Sequence, residues 1–198
     1  MTPNKDDMSA QSHATIMMVD DEPITMEFVQ VFLEQAGYRK FVIEEDSKRA
    51  ISVMEKAAPD ILLLDLVMPE VTGFDILALV REHEMLRHLP VVVLTSSSDN
   101  QTKLKALELG ATDFLSKPVD PSELVLRVRN TLAVKAYQDQ LAFYDPLTNL
   151  PNRRMFMNVL DRTLRKSFFE NRSIALLSIE LDKFDRITDT MGMSVSDE

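Results

Sequence analysis

DILLLDLVMPEVTGFD, residues Asp60 to Asp75, joins a short apolar run to an acid and then to a turn. Ile61 to Leu64 is too short for an ordinary helix and has no polar alternation, which predicts a strand buried on both faces. Asp65 closes that strand, and the loop after it carries Pro69 and Gly73. Ligands in open α/β sheets gather at the carboxyl ends of strands. An aspartate there reads either as a capping or turn residue or as part of a site.

The flanking sequence repeats the same strand-then-helix grammar. Upstream, Ile16 to Val19 is an apolar run that ends in Asp20-Asp21-Glu22-Pro23. From Ile24 to Ala36, Phe28, Val29, Phe32 and Leu33 recur at helical spacing, and Gly37 closes the helix. Phe41 to Ile43 is a second strand, after which Ser47 is placed to cap a helix through Lys56 with Ile51 and Met54 on its inner face. Downstream, the helix Phe74 to Glu84 presents Ile76, Leu77, Leu79 and Val80. Val91 to Leu94 is a fourth strand ending at Thr95, followed by a helix with Leu104, Leu107 and Leu109 that Gly110 stops. Phe114-Leu115 is a short fifth strand ending at Lys117-Pro118. A last helix starts near Pro121, a residue suited to a first turn, and carries Leu124, Val125, Val128 and Leu132. Five such units predict a doubly wound, five-stranded parallel sheet of the α/β class with helices on both faces.

A topological switch beside the first strand sets its carboxyl end next to that of the third. Asp20, Asp21 and Asp65 then share one crevice, and three carboxylates so close repel one another unless a cation or a proton intervenes. A hard divalent ion with oxygen ligands answers that need, and Mg²⁺ with its retained waters is the natural choice. Thr95 and Lys117 end strands four and five on the same rim, one a hydroxyl donor and the other a fixed positive charge. A carboxylate can act as a nucleophile and form an acyl phosphate. Phosphoryl transfer itself asks mainly for positioning and charge neutralisation. Asp65, in mid-sheet, is the candidate nucleophile, with Asp20 and Asp21 as candidate metal ligands. The competing reading is a set of capping residues on a nucleotide-binding sheet.

Composition narrows the classes. The 198 residues suit one full domain and part of a second, and a formal net charge of -10 argues against non-specific nucleic-acid binding. Without cysteine there are no disulfides and no thiolate metal sites. Residues 1–13 are polar and aperiodic, which predicts a flexible tail rather than a signal peptide. No apolar run is long enough to span a bilayer, so a cytoplasmic protein is expected. His13, His83 and His88 lie at no metal-ligand spacing.

Taken together, MVDDEP around Asp20 and Asp21, LLLDLVMPEVTGFD around Asp65, VVLTSSS with Thr95 and ATDFLSKPV with Lys117 resemble the receiver domain of response regulators, over residues 14–133. That resemblance implies a flavodoxin-like strand order 2-1-3-4-5, Asp65 as phosphoacceptor, and Mg²⁺ held by Asp20, Asp21, Asp65 and the Val67 carbonyl. It also implies a cis Lys117-Pro118 peptide and a switch in which Thr95 moves toward the phosphoryl group while Phe114 turns inward. Phe114 as a plain core residue is the alternative. No glycine-rich phosphate loop is present, so the implied donor is a sensor histidine kinase or phosphotransfer protein, or a small acyl phosphate.

Past residue 133 the last helix is expected to continue as a connector, 134–144. Val134, Tyr137, Leu141 and Tyr144 follow a 3-4-3 spacing that suits either pairing with a second copy or packing on the chain's own domain. DPLTNLPNRRMF, Asp145 to Phe156, resembles the opening motif of a GGDEF (diguanylate cyclase) domain. Pro146 and Pro151 fix turns there, and Asn152 suits the cap of a helix from Arg153 to Phe169. Ile174 to Leu181 then reads as a strand, and the resemblance covers 145–198, ending before the GGDEF signature. Active cyclases of that family run into an Asp-x-Asp-x-Phe-Lys-x-x-Asn-Asp pattern after this strand. Here Glu180 adds a methylene to the first acid, Asp185 replaces a phosphate-facing lysine, and Thr188 replaces a guanine-reading asparagine. Asp197 is retained in a turn where Met193 and Ser196 depart from the pattern.

The sequence thus predicts a phosphorelay response regulator whose receiver controls a truncated, diverged GGDEF segment of α+β character, homodimeric through receiver and connector and free of nucleic acid and membrane. An active, phosphorylation-controlled cyclase converting GTP to cyclic di-GMP and a stand-alone interaction module are the alternatives.

Overall fold

A computed structural model describes residues 13–96, 100–170, 172–180 and 182. Strands β1 (Thr15–Val19), β2 (Lys40–Glu44), β3 (Ile61–Asp65), β4 (Val91–Thr95) and β5 (Asp113–Ser116) alternate with helices α1 (Pro23–Gln35), α2 (Ala50–Ala57), α3 (Gly73–Glu82) and α4 (Asn100–Glu108). Helices α5 (Pro121–Phe143) and α6 (Arg153–Glu170) follow. The sheet is parallel throughout, in the order β2-β1-β3-β4-β5, as the sequence predicts. Residues 1–12, most of the expected tail, lie outside the described residues.

Alternation along each buried strand sorts its side chains to two faces. Met17, Val19, Leu62, Leu64, Val91 and Val93 pack against Met54, Ile76, Leu77, Val80 and Ala106, which belong to α2, α3 and α4. Ile16, Met18, Ile61, Leu63, Val92 and Leu94 pack against Met26, Val29, Leu33, Leu124 and Val128, from α1 and α5. The register pairs Val19 with Leu64, so Asp20 and Asp65 leave the sheet side by side.

Three local expectations change. Asp46, not Ser47, caps the segment after β2: its carboxylate accepts from the Lys48 N–H at 3.0 Å and a 3-10 turn over Ser47–Arg49 precedes α2. Ser47 is buried instead and donates its hydroxyl to the Pro69 carbonyl. Helix α3 begins one residue earlier than expected, because Thr72 and Asp75 form a reciprocal capping box. Leu104 and Leu107 are exposed and only Ala106 of α4 is buried, while Phe28 of α1 and Leu79 of α3 also face out. Helical spacing identifies an apolar stripe but not how much of it the sheet covers.

The chain divides into two units, Met1–Ala136 and Tyr137–Glu198, and α5 runs unbroken through the boundary. Within the second unit the opening motif folds into a tight elbow. Asp145 accepts from both the N–H and the hydroxyl of Thr148 at 2.9 Å, and Tyr144 bridges Pro151. Asn152 caps α6 as expected, accepting from the Arg154 and Met155 N–H groups, and its amide donates back to the Ala142 carbonyl at 3.0 Å. The expected strand over Ile174–Leu181 does not form across the described residues 172–180, which have no regular structure. A strand exists only through its ladder, and no partner among the described residues pairs with it.

Tyr38, at the turn between α1 and β2, is 1% exposed and its hydroxyl has no hydrogen-bond partner among the described residues. Burial pushes its phenol up to about 12, against a smaller pull from Arg129. Deleting an unpaired buried donor removes a desolvation cost without losing a bond. Tyr38→Phe is therefore expected to raise unfolding free energy by about 0.5–1 kcal/mol in urea titrations. A loss of 1 kcal/mol or more would show that the hydroxyl is bonded.

Candidate functional site

Parallel register sets β1, β3, β4 and β5 so that each delivers one polar residue to the carboxyl edge. Asp20 follows β1, Asp65 ends β3, Thr95 ends β4 and Lys117 follows β5. Asp20 and Asp65 are 1% and 3% exposed, and Asp21 is exposed at the rim. Ligand oxygens of all three lie within 4.8 Å of one another. The Lys117 ammonium sits between the two buried acids, 2.8 Å from Asp20 Oδ2 and 3.1 Å from Asp65 Oδ1.

The remaining carboxylate oxygens are held by backbone. Asp20 Oδ1 accepts from the Glu22 N–H at 2.9 Å and Asp65 Oδ2 from the Val67 N–H at 3.2 Å. Burial raises the Asp65 pKa above the ordinary aspartate value; Lys117 opposes this and Asp20 reinforces it. Burial alone would lower the Lys117 pKa, but the bonds and charges of Asp20 and Asp65 outweigh it and hold the lysine above its ordinary value. The donor set of three hard oxygens, close enough to share one ion, fits a small divalent cation better than it fits mutual repulsion.

Thr95 is buried, and its carbonyl accepts from the Lys117 N–H at 2.8 Å, which ties β4 to the lysine. The Lys117-Pro118 peptide is cis, as the resemblance implies. Phe114 is half-buried on β5, with the Lys103 ammonium 4.9 Å from its ring centre. A cleft of about 590 Å³ opens beside Asp65, lined by Glu22, Phe28, Phe32, Val67, Lys117 and Pro118 among others.

Two contributors escape the sequence reading. Glu22 reaches within 3.7 Å of Lys117, adding a third acid to the lysine's surroundings beside Asp20 and Asp65. Gly73 donates its N–H to the Leu66 carbonyl, and a Cβ there would fall on the Asp65 carbonyl and lie 2.8 Å from Leu66 Cα. The loop that carries Asp65 thus closes against a residue with no side chain, a requirement that a turn glycine alone does not reveal. Of the expected nucleotide residues, Glu180 is exposed and outside any element, and Asp185, Thr188 and Asp197 lie outside the described residues.

A raised carboxyl pKa has a definite sign for stability. Its contribution is fully present below the ordinary aspartate pKa and is lost as pH rises through the folded value. At neutral pH the metal-free fold therefore carries a cost at Asp65. Asp65→Asn is expected to raise the melting midpoint at pH 7 without divalent metal by roughly 2–4 °C, an advantage that vanishes below about pH 4. Mg²⁺ should stabilise the parent more than the variant. A variant that melts lower than the parent at pH 7 would contradict this balance.

Comparison with known proteins agrees with this geometry. Residues 16–129 match the response regulator receiver domain family, and residues 142–198 match the diguanylate cyclase, GGDEF domain family. The chain is 31% identical to the response regulator PleD of Caulobacter vibrioides over 92% of its own length, and spans 42% of that protein. It is 30% identical to the transcriptional regulatory protein GltR of Pseudomonas aeruginosa, over 92% of this chain and 75% of that one. The chemotaxis response regulator CheY4 of Vibrio cholerae superposes with a TM-score of 0.56 at 29% identity, covering 60% of this chain and 98% of CheY4. The chain belongs to the response regulators of two-component signalling, with a receiver domain followed by a segment of the GGDEF family.

Proposed function

We propose that Asp65 is the phosphoacceptor of this receiver and that a sensor histidine kinase or phosphotransfer protein is its donor. One observation carries the reading: two buried acids on adjacent strand ends share a single lysine, with a third acid in reach at the rim. In the reaction an Asp65 oxygen attacks phosphorus, the bond from phosphorus to the donor's histidine nitrogen breaks, and that nitrogen keeps the electron pair. Asp20, Asp21, Asp65 and the Val67 carbonyl would hold Mg²⁺, which supplies charge neutralisation for the phosphoryl oxygens. In this reading Lys117 and Thr95 contact those oxygens, and Phe114 responds when Thr95 moves.

The partner reading has support next to the cluster. Ile24 and Phe28 of α1 are 69% and 61% exposed, and Phe28 lines the cleft beside Asp65. An apolar rim around a buried nucleophile suits docking of a protein that carries the phosphoryl group on a side chain. The connector adds a second surface. Val134, Tyr137 and Leu141 are exposed on α5, which supports pairing with a second copy. No helix among the described residues is long and apolar enough to cross a membrane, and a cytoplasmic location suits a partner of a kinase. In this reading residues 14–133 are the receiver, 134–144 the connector and 145–198 a diverged GGDEF output.

Acetyl phosphate with Mg²⁺ is expected to add one phosphoryl group to the chain, visible by intact mass spectrometry, and Asp65→Asn to abolish it. Labelling that survives in the variant would remove Asp65 from the role. Asp21→Ala should weaken Mg²⁺ binding and slow labelling, because one hard oxygen is lost. Lys117→Ala should still bind metal but show no parent-like response to beryllofluoride in NMR spectra.

The output segment is expected to be regulatory rather than catalytic. Glu180 lengthens the first acid of the family pattern by a methylene, Asp185 is an acid where that pattern has a lysine, and Thr188 lacks the paired donor and acceptor of asparagine. Incubated with GTP and Mg²⁺, with or without beryllofluoride, the purified chain should form no cyclic di-GMP. Product above a heat-killed control would establish the cyclase reading instead.

A further inference from the structure

Helix α4 has little buried side chain of its own. It buries only Ala106, while Leu104 and Leu107 are 57% and 40% exposed. Two lysines on either side of Leu104 add contacts at its flanks. The Lys103 ammonium lies 4.9 Å from the ring centre of Phe114 on β5, and the Lys105 ammonium 4.4 Å from that of Phe74 on α3. Residues two apart on a helix point in nearly opposite directions, so the two rings grip α4 from both flanks. At its carboxyl end α4 is fixed differently. Arg81 donates to the Gly110 carbonyl from Nε at 3.0 Å and from Nη2 at 2.6 Å, and to the Leu89 carbonyl from Nη1 at 2.8 Å. A Cβ at Gly110 would come within 2.8 Å of Arg81 Nε, so the arginine side chain lies directly over that glycine.

We infer that Lys103 and Lys105 form a cation–π bracket that holds α4 against β5 and α3, and that Lys103 thereby sets how readily Phe114 leaves its present position. Lys103 is a positioning residue: it touches neither Asp65 nor the metal ligands and acts through the ring it covers. The inference rests on the proposed role of Phe114 as the switch residue. An electrostatic hold suits that role better than apolar burial does. A cation over a ring face costs little to release, because the ammonium regains its hydration as it departs, whereas a buried leucine leaves a cavity. The arginine staple keeps the far end in place, so release moves α4 and Phe114 without loosening the loop into β5.

The test uses the full 198-residue chain and beryllofluoride with Mg²⁺ as the probe. Lys103→Met keeps the aliphatic stem but removes the charge, and Lys103→Arg keeps a cation over the ring. The apparent affinity for beryllofluoride should rise about two- to fivefold in Lys103→Met and stay within about twofold of the parent in Lys103→Arg. The Phe114 ring resonances of unliganded Lys103→Met should lie part-way toward those of the beryllofluoride-bound parent. Unchanged or weaker affinity in Lys103→Met, or an equal gain in Lys103→Arg, would overturn the bracket. The parent protein separates the two layers of the argument. Phe114 resonances that shift on beryllofluoride binding in the parent but not through Lys103 refute the bracket alone, whereas a parent whose Phe114 does not respond refutes the switch and the bracket together.

Discussion

Two carboxylates removed from water on neighbouring strands, with one ammonium between them, set the terms for the receiver. Asp20 and Asp65 come abreast because Val19 pairs with Leu64, and nothing in a parallel sheet can separate them once that register is fixed. Burial and the neighbouring Asp20 charge both oppose ionisation of Asp65, and Lys117 offsets only part of that opposition. The rest of the edge is arranged around the remainder: backbone N–H groups of Glu22 and Val67 bind one oxygen of each acid, and the Thr95 carbonyl anchors the backbone of the lysine. Such a site is held ready for added positive charge and for chemistry that adds negative charge after it.

Much of this was open to reading from the chain because the buried strands are unambiguous. Ile61–Leu64 and Val91–Leu94 are apolar on both faces, which only a central parallel strand requires, and the residue after each such run then falls on the carboxyl edge. Asp65 and Thr95 could be placed from that rule alone. The partner of Asp65 across the sheet was also legible once strand order was assumed. Where the reading failed, two local options of similar energy were in competition. Asp46 and Ser47 are both capping residues, and tertiary burial of Ser47 against Pro69 settled which one caps. Leu104 and Leu107 carry a helical stripe, yet only Ala106 of that helix is buried against the core. The need for glycine at 73 depends on an approach between two loop segments that no spacing rule contains.

The segment after α6 shows the opposite limit. Ile174, Leu176, Leu177 and Ile179 have the composition of a strand, and as a sequence they read as one. In the structure they are exposed and unpaired among the described residues. Strand propensity describes fitness for a pleated, half-buried surface, and here no neighbouring strand provides that surface. The elbow before α6 needs no such partner. Its bonds run between residues at most ten apart, from Asp145 to Thr148 and from Asn152 to Ala142, so it forms from its own side chains.

The length of α5 has a mechanical consequence. The helix is held to the receiver through Leu124, Val128 and Thr131 and, further along, by the Lys135–Asp60 ion pair at 3.3 Å, and then continues for eight residues to Phe143. At about 1.5 Å per residue that stretch is about 12 Å long, and a tilt of about 10° at Lys135 would carry its tip through about 2 Å. A stiff helix turns a small change of packing at its last anchor into a wider movement at its far end.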